Sequence, residues 1–369
     1  MSRKNILFVM HELSLGGAER VVLNLVNNMN RKKFKTELCL FKKRGKLVES
    51  IKDDVTVYDL KAKRVATSTL SFLKLLICKK PDVVFTSITH VNLLLSVSIP
   101  FLRYFMKDTK FVTREVNIPS IRAKYMKKSR KIDIFYKRFI HNYDYIIAQS
   151  NYMKKDIVKS YRVDENKITV ISNPLDIDNI KYKLAENIDK ELFIYKNKIN
   201  IVAVGNLRKQ KGFDNLLDIF ALLDDKFHLN IVGEGSCRMI LEEKIKKLNL
   251  QKKVTLHGLQ DNPYLYMKEA DLVVLSSRYE GFPNVILEAN ACGKFVVAFK
   301  CPGVSEEIIE DGLNGVLIEY GDKKAFADAV VKYTSCDFDT KKIISTTEKY
   351  RVSNIVKEYE KMFIGNSDV

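Results

Sequence analysis

The sequence predicts an α/β protein built from two doubly wound, Rossmann-like domains that face each other across a cleft. Three observations carry this. Short apolar runs such as Ile6 to Met10, Ile199 to Val204 and Leu272 to Leu275 recur along the chain and read as buried strands. Helical patterns alternate with them in both halves, as a doubly wound sheet requires. A polar stretch from about 175 to 198, without apolar periodicity, separates two such series, and 369 residues suit two domains.

The elements follow in order. Residues 4–10 form a strand; Gly16 and Gly17 then open a helix whose apolar positions are Val21, Val22, Leu25, Val26 and Met29. Strands are expected at 36–41 and 55–60, a helix at 68–79, and strands at 82–86 and 110–114. The apolar stretch from Val91 to Phe105 is broken by Asn92, serines, Pro100 and Arg103, and is too short and punctuated to span a bilayer. Residues 122–140 read as one strongly basic helix, followed by a strand from Tyr145, a helix over 151–160 and a strand at 168–171. The second half begins with a strand at 199–204, a helix at 214–224, a strand at 227–232, a helix at 238–248 and a strand at 253–257. A short helix from Pro263, the strand at 272–275, a helix after Pro283, a strand from Lys294 to Phe299, a short strand near Val316 and two closing helices complete it. The domains are drawn at 1–178 and 199–345, with a linker at 179–198 and a C-terminal helix within 346–369 that would pack back on the first domain.

Composition narrows the function. The cysteines are scattered with no Cys-x-x-Cys pair, so neither a structural zinc nor a redox motif is expected, and reduced thiols in the cytoplasm are the default. The basic N-terminus leads into a first strand rather than a signal peptide. The net charge of +18 is placed unevenly: residues 1–180 hold 35 Lys+Arg against 17 Asp+Glu, whereas 181–369 hold 28 of each. The excess belongs to the first half and suggests an anionic partner there: membrane, nucleic acid or phosphorylated substrate.

The densest candidate chemistry is the string Glu280-Gly281-Phe282-Pro283-Asn284-Val285-Ile286-Leu287-Glu288. Pro283 suits a first helical position because it lacks an N–H, and the open amides of a first turn attract phosphate. Glu280 precedes the helix and Glu288 lies four residues after Asn284 on the same face. Alone, Glu280 reads as a solvated carboxylate; beside the amide row it reads as part of a ligand site at a strand's carboxyl end.

This string resembles the Glu-x7-Glu motif of retaining glycosyltransferases with the GT-B fold, family 4 in particular. The resemblance extends to Gly16-Gly17-Ala18-Glu19-Arg20, to Ser172-Asn173-Pro174 at the end of the first domain, and to Lys211 within Gln210-Lys211-Gly212. It implies a hexosyltransferase using a nucleotide-sugar donor, UDP by preference, and a lipid-linked saccharide acceptor in a surface-polysaccharide pathway. It further implies that Gly16 and Gly17 lie against donor phosphates and acceptor, that Lys211 meets the diphosphate, and that Glu280 reaches the donor sugar. Glu288 would take the ribose hydroxyls, being acceptor-only. The amides at Gly281, Phe282, Asn284 and Val285 would cradle the β-phosphate, and Leu259 would lie near the base. Many relatives carry Arg directly after the strand's glycine; here that place is Asn206, and Arg208 would supply the second cation. Where relatives carry a His after the strand at 110–114, this chain has Glu115 or Asn117, with His90 and His11 as further candidates on the acceptor side.

Other readings fit less well. Gly233-Glu234-Gly235-Ser236-Cys237-Arg238 lacks the third glycine of a dinucleotide fingerprint. Asp176-Ile177-Asp178 has the spelling of a metal-binding Asp-x-Asp but falls at the linker and reads as a capping or turn pair, so neither metal nor cofactor is expected. No nucleic-acid-binding motif accompanies the charge; an anionic membrane surface or a phosphorylated substrate stays open, and the enzyme is expected to be peripheral at the inner face of the cell membrane. The alternative function is a nucleotide-sugar epimerase on the same architecture.

Overall fold

The computed structural model describes residues 3–14, 16–62, 68–125, 130–186, 195, 197–304 and 307–364. They divide into two compact units: residues up to Pro174 together with those from Val352, and Leu175–Arg351.

In the first unit, β1 (Lys4–Met10), β2 (Phe34–Leu40), β3 (Thr56–Asp59), β4 (Val83–Thr86), β5 (Lys110–Arg114), β6 (Tyr145–Ala148) and β7 (Ile168–Val170) form one sheet. The strands are parallel, in the order β3-β2-β1-β4-β5-β6-β7. Both faces are covered, which is why the strands read as unbroken apolar runs. Alternate residues of β1 serve the two cores: Ile6, Phe8 and Met10 on one face, Leu7 and Val9 on the other. The first face carries α1 (Gly17–Asn28). The second carries α2 (Thr69–Lys79), α3 (Thr89–Leu102), α4 (Pro119–Tyr125), α5 (Arg130–Phe139) and α6 (Asn151–Tyr161). Ser150 caps α6 by accepting the Met153 amide.

Leu175–Arg351 repeats the plan. It begins with α7 (Ile177–Leu184), then β8 (Ile199–Val204), α8 (Phe213–Phe220), β9 (Phe227–Val232), α9 (Arg238–Lys247), β10 (Val254–Gly258) and α10 (Pro263–Glu269). β11 (Leu272–Leu275), α11 (Asn284–Ala291), β12 (Val296–Lys300), β13 (Gly315–Glu319), α12 (Lys323–Tyr333) and α13 (Thr340–Ser345) follow. Its parallel sheet runs β10-β9-β8-β11-β12-β13. The last helix, α14 (Val352–Ile364), returns to the first unit beside α1. There Ile355, Val356, Tyr359 and Phe363 are buried, Phe363 against Phe8 and Phe85 and Tyr359 against Phe85, and the Ile, Val and Phe side chains each contribute about 1.5–3 kcal/mol over an exposed position.

Several expectations need correction. The linker begins with a helix, α7, because Asp176 accepts the Asn179 amide and Ile177 and Ile180 find a core; linker residues 187–194 and 196 lie outside the described residues. The punctuated stretch after Val91, given no element in the sequence reading, forms the helix α3, with Pro100 in its last turn. The single basic helix is described as α4 and α5, and Met126, Lys127 and Lys128 between them lie outside the described residues. Among the described residues three helices follow β13, rather than two.

Candidate active site

In the second sheet the winding reverses between β8 and β11, the point where open α/β sheets leave a crevice at the strands' carboxyl ends. The loops leaving these two strands are knitted together. The Arg278 amide donates to Gln210 O at 2.7 Å, and Gln210 Nε2 donates to Tyr279 O at 3.0 Å. Ser276 Oγ donates to Lys211 O at 3.0 Å. The Arg278 guanidinium donates to Lys209 O at 2.6 Å and takes both oxygens of Asp214, at 2.8 and 2.6 Å, a bidentate geometry that fixes direction as well as distance. Gly212 makes this contact feasible: its φ is +65°, and a Cβ there would overlap Ser276 O.

The interlock brings Lys211 and Glu280 together. Lys211 Nζ donates to Glu280 Oε1 at 2.7 Å, Ser277 Oγ donates to the same oxygen at 2.5 Å, and Gln210 Nε2 approaches the other at 3.5 Å. The Glu280 amide donates to Pro302 O at 2.8 Å. Glu280 is only 5% exposed, so it is no solvated surface carboxylate. A buried charge persists only when paired and hydrogen-bonded, and these partners meet that requirement. An ammonium carries three donors; with one on Glu280, Lys211 keeps two for a ligand anion. Its stem crosses Gly205, whose added Cβ would lie 3.2 Å from Lys211 Cε.

Around this pair the other sequence-predicted residues distribute as follows. α11 starts at Asn284, so Pro283 is its N-cap and not its first helical residue. The Asn284 amide donates to Phe282 O at 3.0 Å and is spent within the chain, which corrects its expected place in the phosphate cradle. Among the described residues, the amides of Gly281, Phe282 and Val285 have no backbone acceptor. Glu288 is half-buried one turn into α11. Asn206 and Arg208 are exposed in the β8 loop, and Leu259, just past β10, is an exposed leucine at 64%. Sequence reasoning missed Gln210, Asp214, Ser277 and Arg278; their signal is only adjacency to Lys211 and Glu280.

The reversal in the first sheet lies between β1 and β4. His11 follows β1 and His90 opens α3, and their rings meet edge-to-face with centroids 5.1 Å apart. Burial, reinforced by His11, holds His90 below the usual imidazole range. Glu12 is held below the usual carboxylate range by Arg44, whose Nε lies at 2.5 Å, and also accepts from Ser14 Oγ at 3.0 Å. Gly16 caps α1 without a side chain, and a Cβ there would collide with the Glu19 carboxylate. Gly17 is the first residue of α1.

Glu115 departs from expectation. It is 1% exposed and turned into the core, where Tyr136 donates its hydroxyl to Oε1 and Asn92 Nδ2 approaches the same oxygen at 3.4 Å. Burial pushes its carboxyl above the usual range. An acceptor-side role for this side chain is therefore corrected; Asn117, half-buried two residues on, is the more accessible of the two.

Comparison with known proteins is in keeping with this geometry. Residues 185–350 match the model for "Glycosyl transferases group 1", and residues 15–179 that for "Glycosyltransferase Family 4". The chain is 30% identical to the N-acetylgalactosamine-N,N'-diacetylbacillosaminyl-diphospho-undecaprenol 4-alpha-N-acetylgalactosaminyltransferase of Campylobacter jejuni, over 84% of each protein. It is 31% identical to an uncharacterised glycosyltransferase of Methanocaldococcus jannaschii, over 68% of this chain and 63% of that one. Among solved structures, Anabaena HepE in complex with UDP and glucose superposes with a TM-score of 0.79 at 19% identity, covering 98% of this chain and all of that one.

Proposed function

The chain belongs to glycosyltransferase family 4, with the GT-B fold, and we propose that it moves a hexose or hexosamine, with retention, from a UDP-sugar to a lipid-linked saccharide in surface-polysaccharide synthesis. The observation that carries this is the Lys211–Glu280 pair at the β8/β11 reversal, with the open amides of Gly281, Phe282 and Val285 beside it. The name of the Campylobacter relative, with its diphospho-undecaprenol acceptor, and the UDP and glucose held by HepE support the choice of partners. The reported relatives are transferases, and none supports the epimerase alternative.

Chemistry follows from charge. The bond from the anomeric carbon to the β-phosphate oxygen breaks, and negative charge grows on the departing diphosphate. Lys211 and the open amides are aimed where that charge develops, which is where fixed dipoles accelerate most. Glu280 meets the donor sugar, Glu288 accepts the ribose hydroxyls, Leu259 lies against the base, and exposed Arg208 adds a second cation. The acceptor oxygen forms its bond on the face the phosphate leaves, and its proton passes to a diphosphate oxygen. With that neutralisation supplied by side chain and backbone, no divalent ion is required. Gly16 and Gly17 serve donor phosphates and acceptor, and His90 and Asn117 the acceptor side. No helix among the described residues is long and apolar enough to cross a membrane; a peripheral position at the inner leaflet suits a lipid-linked acceptor and the basic first half.

One reaction tests this reading. The protein is incubated with a panel of UDP-sugars and undecaprenyl-diphosphate-linked acceptors, with and without excess EDTA, and the product is examined by NMR. The expected product keeps the donor's anomeric configuration and forms at an unchanged rate in EDTA. An inverted linkage overturns retention, and activity that EDTA abolishes and magnesium or manganese restores overturns metal independence.

A further inference from the structure

The two helical faces of the first unit differ in a way its sheet does not require. On the face formed by α1 and α14, no large apolar side chain is exposed among the described residues. Those two helices carry Arg20, Lys357 and Lys361 against Glu19, Glu358 and Glu360, a net charge of zero. The opposite layer, α2 to α6, carries every exposed large apolar side chain described in this unit, ten between Leu70 and Tyr152. Residues 68–162, which contain that layer, hold 19 Lys+Arg against 6 Asp+Glu.

Two patches dominate. At the end of α3, Phe101, Tyr104 and Phe105 stand out, with Tyr104 81% exposed and the two Phe rings 5.2 Å apart. On α5, which packs against α3, Asp133 and Tyr136 turn inward, as does Ile140 just past its end, while Ile134 and Phe135 face solvent at 65% and 60%. A recess of about 590 Å³ lies beside them, lined also by Lys137, Arg138, His141 and Arg162. Single exposed apolar residues are ordinary. Aromatic and aliphatic side chains gathered on one basic layer, facing a clean and neutral layer across the same sheet, are the pattern of a surface that rests in a lipid interface.

We propose that the α2–α6 layer is the membrane-docking face of this protein and that its occupant is an anionic phospholipid leaflet. Phe101, Tyr104, Phe105, Ile134 and Phe135 enter the headgroup region, where aromatic rings favour the boundary between hydrocarbon and water. Lys137, Arg138 and Arg162 pair with lipid phosphates around the recess. Binding combines apolar burial with attraction to anionic lipid, so charge alone does not account for it. The inference rests on the lipid-linked acceptor proposed above only for its purpose: docking places the first unit beside a substrate confined to two dimensions.

The test is cosedimentation of the full chain with phosphatidylcholine vesicles, with and without about one-third phosphatidylglycerol. The wild type sediments with the anionic vesicles and does so less as salt rises. The pairs Ile134→Ser with Phe135→Ser and Phe101→Ser with Phe105→Ser each lower partitioning about tenfold, as does Lys137→Glu with Arg138→Glu. The control pair Leu222→Ser with Ile240→Ser, exposed apolar residues of the second unit, partitions like wild type. Stabilisation by UDP is unchanged in all, which shows each variant folded. Wild type that stays in the supernatant with both vesicles overturns the proposal, as do apolar variants that sediment like wild type. A lipid-free dimer dispersed by Phe135→Ser also overturns it, since the face then belongs to a second copy. Protein that glycosylates a detergent-dispersed acceptor yet ignores vesicles loses the docking face and keeps the transferase; protein that sediments yet transfers nothing does the reverse.

Discussion

The two units wind their sheets alike, yet they spend the reversal point differently. Between β8 and β11 the loops are locked by Arg278, Asp214, Gln210 and Ser276, and the lock encloses an ion pair. Between β1 and β4 the half-buried His11 ring and the exposed His90 ring meet edge-to-face, and the nearby carboxylate of Glu12 is tied to Arg44. A buried ionised acid tolerates little looseness, because losing its partner strands a charge. A contact between rings, with no buried ion pair at stake, tolerates more. The difference teaches that one topology sets where ligands come, while the polar residues at the strand ends decide what they meet.

The largest expected effect falls on the locked side. Lys211→Met should lower kcat about 100- to 1000-fold, the range for removing one preorganised stabiliser of developing charge. It also leaves Glu280 buried beside Ser277 and Gln210 alone, so the thermal midpoint should fall. Glu280→Gln alone should lower kcat with less loss of stability, since the amide is neutral. Lys211→Met combined with Glu280→Gln separates the two consequences: the midpoint should recover most of the way while activity stays lost. Steady-state kinetics and thermal unfolding of the three variants check this. A single variant with near-normal kcat would remove the pair from the chemistry.

A smaller effect is expected one turn into α11. Ribose contacts exist in ground and transition states alike, so they set affinity more than rate. Glu288→Ala should raise donor KM about 10- to 100-fold with kcat within a fewfold of wild type. Normal donor affinity in this variant would sink the ribose assignment. The contrast with Lys211 sharpens the comparison within one site: two charged groups, one read in kcat and the other in KM.

Much of this site was legible and its wiring was not. β8 and β11 are buried on both faces, so they appear in the sequence as continuous apolar runs, and the residues after them mark the loops. Glu280 was visible in that way, and Lys211 through the resemblance of its loop to the family. That their side chains meet across 69 residues of sequence was not, because no spacing rule links two loops whose contact depends on strand order. Glu115 shows the opposite failure. Its position after β5 suggested a ligand, but its direction is set by Tyr136, which arrives from α5 and claims its carboxylate. α7 was missed because Ile177 and Ile180 alone are too few to establish a period. In α3 the serines read as punctuation; within the helix, however, Ser96 and Ser98 donate to the carbonyls of Leu93 and Leu94 at 2.7 and 2.9 Å and satisfy themselves.

The smallest expected effect is a divergence of the two units under acid. In the second unit His228 is buried, stacks on Tyr195 with ring centroids 3.9 Å apart, and shares a 2.9 Å hydrogen bond with Thr255 Oγ1. Burial lowers its pKa to about 4. A histidine whose folded pKa is depressed binds fewer protons than the unfolded chain below about 6.5, so stability is lost as pH falls from there toward 4. His257, lowered by burial as well, adds in the same direction. In the first unit Glu115 is shifted the other way: burial raises its carboxyl, so its penalty grows as pH rises through that raised value and is relieved on acidification. His90, lowered, opposes that relief in part. Amide hydrogen exchange at pH 7 and pH 5, corrected for the intrinsic rate, should therefore show β9 and β10 opening several-fold more readily at the lower pH while β5 and β6 change less. His228→Asn should flatten the response of β9 and β10 and leave that of β5 and β6 as it was. Equal acid sensitivity in both sheets would mean that the buried histidine of the second unit does not govern its stability.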